Sequence, residues 1–334
     1  MDIRTISSHN LIPVIEPAFL KQSPDEFLAE NGGFLSEVAV VGKSTSGFVH
    51  YRSATAPTDR ETNEFFSTFS TIADSIGIKV YGFINGLADS FLAKNLGYSA
   101  IKDGGNPNVD FVDPFKTSYV NYLKSITTEI IGFPVQGIVY DNIRFPHEEY
   151  SFCENCCRRF SERYGIERIF SLSDIQQDNQ LLGHWLQWRK DALEPILAKI
   201  SESLIAKGGL DANFTIDIDP TLDGRRGALI QFGQDIDVIG KYGTPTIHLS
   251  AWTAYPSAVD DPEYQPLLKN LNFVKEFQDR AQTGVNLFIW GAENENVLNI
   301  IDALKKEITI KSIFIQNHFP SDYQKRREIH LGLS

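Results

Sequence analysis

A carboxylate, an amide and a guanidinium group follow directly after a short apolar run near the middle of the chain. The run at 137–140 leads into Asp141, Asn142 and Arg144. An ionised carboxylate can act as a nucleophile or a general base, while amide and guanidinium groups bind hydroxyls or a neighbouring carboxylate. Polar groups that follow buried parallel strands collect at one edge of the sheet, so this segment predicts part of a binding or catalytic site.

Further groups of this kind follow other apolar runs along the chain. Asp217 and Asp219 are two residues apart, which would place both side chains on one face of a strand. Paired carboxylates that flank a glycosidic bond, together with groups that bind the sugar, point to carbohydrate chemistry. The remaining candidates for substrate contact or catalysis are Glu16, Asn85, His248, Trp252, Trp290, Glu293, Glu295 and His318.

The spacing of apolar residues predicts the elements that position these groups. Short β-branched runs alternate with longer amphipathic stretches, which is typical of parallel strands joined by crossover helices. Eight runs are predicted as strands, at 11–16, 37–41, 78–84, 136–140, 214–219, 246–250, 285–290 and 311–316. A (β/α)8 TIM barrel needs about 250 residues. We therefore expect the 334 residues to form a single barrel, with long loops at about 85–114 and 147–181.

Two of the connecting helices have readable starts. Ser23, Pro24 and Glu26 have the pattern of an N-cap, a first-turn proline and a capping box. A second helix is predicted from residue 58 or 59 to residue 75, where Gly77 follows as a stop signal.

Each candidate site residue also has an ordinary structural interpretation. A lone aspartate after a strand most often caps the next helix. The indoles of Trp252 and Trp290 could pack in the core, and His248 could be a hydrogen-bonded structural histidine. Asp141 and Arg144 could form a salt-bridged turn that braces the barrel rim.

Composition narrows the class of ligand and the expected location. The formal net charge of −12 argues against a nucleic-acid partner, because phosphate contacts need clustered Lys and Arg. The start of the chain has no apolar stretch after a basic region, and no run of about 18 apolar residues suggests a membrane span. The sequence thus predicts a cytoplasmic protein that acts on a neutral ligand such as a sugar.

All three cysteines lie within residues 153–157. An odd, clustered set is not typical of a disulfide framework. Cys153, Cys156 and Cys157 could instead bind a structural zinc ion, for which His147 would be a further ligand, although a second C-x-x-C is missing. Packing of small side chains in a long loop and a redox role are the alternatives. No other cofactor is expected.

The phrases YDNIRFP at 140–146 and FCENCCRRF at 152–160, with Asn106-Pro107 and Asp113-Pro114-Phe115 before them, resemble TIM-barrel glycoside hydrolases related to the α-amylase superfamily. The resemblance is best over about residues 105 to 165. It implies a glycosidase in which Asp141 is the nucleophile. Arg144 would then lie beside Asp141 and keep it ionised. The general acid would come from Asp219, Glu293 or Glu295.

Three functions are consistent with these residues. The first is a glycoside hydrolase that acts on an oligo- or polysaccharide. The second is a catalytically silent carbohydrate-binding barrel. The third is a metal-dependent hydrolase or lyase that uses Glu16, Asp141, Asp219 and His248, although the first strand lacks a His-x-His motif. A second carboxylate about 5–5.5 Å from Asp141 would support a retaining hydrolase, and a separation of about 6.5–9.5 Å an inverting one.

Overall fold

Eight parallel strands close into a barrel, which confirms the predicted fold. The computed structural model describes residues 11–20, 22–167, 170–218, 224–250, 271–290 and 296–316. The barrel strands are β1 Ile12–Ile15, β2 Glu37–Lys43, β3 Lys79–Asn85, β6 Gly137–Asp141, β7 Asp211–Asp217, β8 Thr244–Ser250, β9 Val285–Trp290 and β10 Ile310–Gln316. They pair in chain order, and β10 closes the barrel against β1. An antiparallel hairpin, β4 Ser99–Ile101 and β5 Pro107–Val112, stands apart from the barrel.

Helices follow the strands in the described part of the chain. Their bounds are α1 Pro24–Asn31, α2 Phe65–Ser75, α3 Ser90–Asn95, α4 Thr117–Ile130, α5 Glu154–Tyr164, α6 Leu172–Gln177, α7 Asn179–Ala206, α8 Gly224–Phe232, α9 Ile236–Tyr242, α10 Asn272–Ala281 and α11 Asn296–Glu307. Among the helices that the structure describes, none combines the length and apolar character needed to cross a lipid bilayer.

The barrel strands are buried on both faces, which explains their nearly continuous apolar sequences. In β2, Val38 and Val40 pack in the large cluster that includes the helices. Ala39 and Val41, which point the opposite way, belong to a second cluster. This second cluster fills the barrel interior and consists of Ile12, Val14, Ala39, Val41, Tyr81, Phe83, Val139, Phe288, Trp290 and Phe314.

Helix α1 begins as its sequence predicts. Glu26 N donates to Ser23 Oγ at 3.3 Å, and Ser23 N donates to Glu26 Oε2 at 2.9 Å, which is the reciprocal capping box. Helix α2 begins later than predicted, at Phe65. Thr58, which the sequence placed at the start of this helix, instead forms an isolated β-bridge with Val49.

We expect Ser23→Ala to lower the free energy of unfolding by about 1 kcal/mol, because the substitution removes the side-chain acceptor for Glu26 N. Urea denaturation measures the change. Ser125→Ala is the matched control, since Ser125 is exposed within α4 and alanine is a better helix former than serine. An equal loss in both variants would contradict a capping role for Ser23.

Both predicted long loops contain regular structure. The first holds α3 and the β4–β5 hairpin, and the second holds α5 and α6. A buried ion pair anchors the first loop to the barrel: Lys43 Nζ lies 3.1 Å from Asp89 Oδ2, and both side chains are 0% exposed. Lys43 also donates to the Asn85 carbonyl oxygen at 2.8 Å, and Asp89 caps α3 through Leu92 N. Burial lowers the pKa of Lys43, and Asp89 opposes that shift.

Candidate functional site

The C-terminal ends of the barrel strands bring several predicted residues together. Asp141 pairs in register with Asn85 across β6 and β3, and Asp217 pairs with His248 across β7 and β8. All four side chains belong to residues buried to 6% exposure or less. In (β/α)8 barrels this end carries the active site, so these four residues form the centre of the candidate site.

Neutral groups hold the Asp141 carboxylate. Thr215 Oγ1 donates to Asp141 Oδ1 at 2.7 Å, and Asn142 Nδ2 donates to Asp141 Oδ2 at 2.9 Å. Asn142 has a φ of +57°, in the left-handed region that asparagine tolerates better than most residues. The same amide nitrogen donates to Asn85 Oδ1 at 3.0 Å. Asp141 is therefore held directly by β7 and by its chain neighbour Asn142, whose amide is in turn bound to Asn85 of β3.

The second carboxylate, Asp217, is held by charged or ionisable groups. Arg144 Nε lies 3.0 Å from Asp217 Oδ2, and His248 Nδ1 lies 3.1 Å from Asp217 Oδ1. The guanidinium of Arg144, predicted to lie beside Asp141, thus forms its ion pair with Asp217, although the charge of Asp141 also raises the pKa of Arg144. Strand β7 places Asp217 against the guanidinium. The charge of Asp141 raises the pKa of Arg144 less than the charge of Asp217 does.

Arg144 lies beneath the site and is completely buried. Its Nη1 donates to the carbonyl oxygens of Phe145 at 3.0 Å and Pro146 at 2.9 Å. The guanidinium carbon lies 5.0 Å from the ring centre of Phe111 and 4.7 Å from that of Phe232. Burial lowers the pKa of Arg144, while Asp217 raises it. The described contacts of Arg144 therefore support Asp217 and the segment after β6, and its predicted contact with a substrate stays a prediction.

His248 lies between the two carboxylates. Its Nδ1 is 3.1 Å from Asp217 Oδ1 and 3.7 Å from Asp141 Oδ1. One ligand atom from each of the three residues lies within 4.8 Å of the others. The imidazole also packs 4.7 Å, centre to centre, from the ring of Phe288. Asp217 and His248, both predicted from the sequence, are therefore adjacent to Asp141.

Glu16 and Trp290 are the other predicted site residues that the structure describes at the C-terminal end of the barrel, which is called the mouth below. Gln316 Nε2 donates to Glu16 Oε2 at 3.1 Å. Trp290 is 5% exposed and belongs to the interior cluster, in agreement with its packing interpretation. His50, which sequence analysis did not select, is also buried; burial lowers its pKa, and the charge of Glu16 opposes that shift.

Two further supporting residues were missed in the sequence. Thr215 is two residues before Asp217 in β7, so strand periodicity could have placed it on the same face. Gln234 donates to the Thr215 carbonyl oxygen at 2.8 Å and to that of Ile143 at 3.2 Å, and it accepts from Asp217 N at 2.8 Å. It ties the end of β7 to the segment after β6. No local sequence pattern marks Gln234, since it lies between α8 and α9.

The other predicted site residues lie outside the part of the chain that the structure describes. They stay predictions, and they are Asp219, Trp252, Glu293, Glu295 and His318.

The cysteine cluster differs from the expected set of three thiols. Cys153 and Cys156 form a disulfide, which the sequence analysis did not predict. Cys157 is a free thiol, and burial raises its pKa to about 11. The sulfurs of Cys153 and Cys156 are joined in this structure, and they lie close to the Asp113 carboxylate; a structural zinc ion at this cluster, which would need the reduced thiolates, stays a prediction.

Comparisons with known proteins extend the fold assignment. No protein-family model matches the sequence, and no curated protein matches it. The structure is similar to the glycoside hydrolase domain of PgaB (BpsB) from Bordetella bronchiseptica, with a TM-score of 0.69 and 11% identity over 96% of this chain and 98% of that chain.

Two other solved structures are similar over most of this chain. The catalytic domain of β-amylase from Paenibacillus polymyxa has a TM-score of 0.63 and 12% identity, with 92% of each chain covered. The α-L-fucosidase isoenzyme 2 from Paenibacillus thiaminolyticus has a TM-score of 0.61 and 14% identity over 96% of this chain and 48% of that chain. At such low identity the likeness shows the barrel fold.

Proposed function

We propose that this protein is a glycoside hydrolase acting on an oligo- or polysaccharide, with Asp141 as the carboxylate that reacts at the anomeric carbon. The observation that carries the proposal is the grouping of Asp141, Asp217 and His248 within 4.8 Å at the C-terminal end of the barrel. The similar structures support it, since they are a glycoside hydrolase domain, a β-amylase domain and an α-L-fucosidase.

The different partners of the two carboxylates suggest different roles. Asp141 is held by the neutral donors Thr215 and Asn142, so its negative charge is available to an oxocarbenium-like transition state. The charge of Asp217 is compensated by Arg144. Asp217, whose Oδ1 lies 3.1 Å from His248 Nδ1, would then orient the imidazole beside Asp141.

The proton donor for the leaving group would come from Asp219, Glu293 or Glu295, because these residues follow β7 and β9 in the chain. Parallel strands place such positions at the same end of the barrel as Asp141. Indole contacts from Trp252 and polar contacts from Glu16, Asn85 and His318 would bind the sugar.

A metal-dependent hydrolase is the second candidate, because Asp141, Asp217 and His248 have the donor types and spacing of a cation site. Of the expected ligands that the structure describes, Asp141 and His248 are in this group and Glu16 is not, while Asp219 lies outside the described residues. The positive charge of Arg144, 3.0 Å from Asp217, opposes a second cation there. For this reason the glycosidase is the better-supported function.

A screen with aryl glycosides and oligosaccharides tests the proposal. We expect turnover of at least one glycoside, measured as released aglycone or reducing ends, and we expect a chelator to leave the rate unchanged. Turnover that stops with chelator and returns with a divalent ion would favour the metal-dependent enzyme. Saturable sugar binding in calorimetry without any turnover would instead identify a carbohydrate-binding barrel.

A further inference from the structure

The disulfide at the start of α5 has two chemically unequal sulfurs. Cys153 is the N-cap residue of α5, is partly exposed, and its Sγ accepts from Cys156 N at 3.0 Å. Cys156 is 1% exposed. We propose that Cys153 and Cys156 form a thiol–disulfide exchange centre that reacts reversibly with low-molecular-weight thiols of the glutathione class.

The difference in exposure between Cys153 and Cys156 decides which sulfur is attacked first. An incoming thiolate can reach the Cys153 sulfur, and its attack breaks the Cys153–Cys156 bond and releases the buried Cys156 sulfur as the leaving group. A second thiol then attacks the external sulfur of the mixed disulfide and frees Cys153. In sum, two thiols are oxidised to one disulfide, and their two electrons and two protons reduce the protein disulfide to two thiols.

The start of α5 stabilises the Cys153 thiolate, which is the leaving group of the second step. Backbone N–H groups of the first helical turn, which have no partner within the helix, and the helix dipole both favour negative charge at this position. One such group, Cys156 N, already points at Cys153 Sγ. The same contact would hold the sulfur in place when the disulfide is open.

A buried carboxyl group contacts the other sulfur. Asp113 is 2% exposed, and its Oδ2 lies 3.3 Å from Cys156 Sγ. A carboxyl group at this distance is positioned to pass a proton to the Cys156 sulfur as it leaves and to take the proton back on reoxidation.

A purely structural role explains this disulfide less well. The two cysteines are only three apart in the sequence, and closing so short a ring removes little entropy from the unfolded chain. The backbone before Cys153 is already held, because Ser151 N and Phe152 N both donate to the Ile101 carbonyl oxygen at 3.0 and 2.9 Å. The pair can thus open and close while its surroundings stay folded.

The test equilibrates the folded protein in glutathione buffers of increasing GSH:GSSG ratio, then traps thiols in acid and counts them by maleimide alkylation and mass spectrometry. Of the three cysteines, one should react in the oxidised protein and all three in the reduced protein. In the Cys157→Ser variant the count should change from none to two. A thermal melt at each ratio confirms that the protein stays folded.

The Asp113→Asn variant tests the buried carboxyl group separately. We expect its reduction by a dithiol at neutral pH to be slower by at least about tenfold, because the leaving sulfur loses its proton donor. Asp74→Asn, at an exposed position in α2, should react at the wild-type rate.

Three results would overturn the proposal. The first is a count that stays at one across all ratios, which would identify an inert disulfide. The second is a count of three in air-equilibrated protein. The third is a stoichiometric zinc ion, released only when the cysteines are alkylated, which would identify the Asp113–Cys153–Cys156 group as a metal site. A wild-type reduction rate in Asp113→Asn would remove Asp113 from the mechanism.

Discussion

Replacing Asp141 by asparagine is expected to lower kcat on any glycoside that the wild-type protein cleaves by roughly 10²- to 10⁴-fold. The amide cannot attack the anomeric carbon, and it carries no charge to stabilise an oxocarbenium-like transition state. KM should change little, since the hydroxyl groups of the sugar would be bound by other residues of the mouth. Steady-state kinetics on the glycoside found in the screen measure both parameters.

The structure favours a folded Asp141→Asn protein, which makes the loss of activity interpretable. The new side chain has the same shape, and its oxygen can still accept from Thr215 Oγ1, which donates to Asp141 Oδ1 at 2.7 Å in the wild type. Its NH2 group cannot accept from Asn142 Nδ2, but that nitrogen keeps its hydrogen bond to Asn85 Oδ1. Asp74→Asn applies the same chemical change at an exposed site on α2 and should leave kcat unchanged. If Asp141→Asn retained most of the activity, Asp141 would have no place in the mechanism.

The second large effect concerns stability. We expect Arg144→Met to lower the free energy of unfolding by about 3–5 kcal/mol, because it leaves the Asp217 carboxylate buried without its cation. Arg144 is 0% exposed and Asp217 4% exposed in this ion pair, so water cannot take the place of the guanidinium. The substitution also removes the donors to the Phe145 and Pro146 carbonyl oxygens. Urea denaturation, followed by circular dichroism, measures the loss.

Two companion variants separate the buried charge from other causes. Adding Asp217→Asn to Arg144→Met removes the buried carboxylate that has lost the guanidinium, so the double variant should regain part of the lost stability. Arg158→Met is the matched surface control, because Arg158 pairs with Glu162 while both side chains are about 60% exposed; its cost should be about 0.5 kcal/mol or less. Similar costs for Arg144→Met and Arg158→Met would show that the buried ion pair contributes no special stability.

These two predictions involve residues that are close in sequence but differ in function. Asp141 accepts hydrogen bonds from the neutral groups of Thr215 and Asn142, whereas Arg144 forms its ion pair with Asp217. The salt-bridged turn considered from the sequence is therefore realised in part, with a different acid. Asp217→Asn should then disturb the position of His248, whose Nδ1 lies 3.1 Å from Asp217.

The elements of the barrel could be predicted because their signals are local. Strands buried on both faces read as short apolar runs, and the capping box at Ser23 is contained within four neighbouring residues. The start of α2 could not be predicted as well, since Thr58 is drawn into a bridge with Val49. That bridge depends on the folded path of the loop and overrides the helical pattern.

The sequence by itself determined the (β/α)8 barrel, with Asp141 directly after the fourth predicted strand and Asp217 and His248 within the fifth and sixth, since alternation and strand length are properties of neighbouring residues. Only the tertiary structure decided which of these groups meet. Thr215 and Asp141 are 74 residues apart in the chain, and Asp113 and Cys156 are 43 apart. Such pairs depend on barrel register and on how the loops pack against it, and a shift of one residue in a strand would turn each side chain to the opposite face. For the same reason, the choice of Asp217 as the partner of Arg144 became visible only once β6 and β7 were side by side.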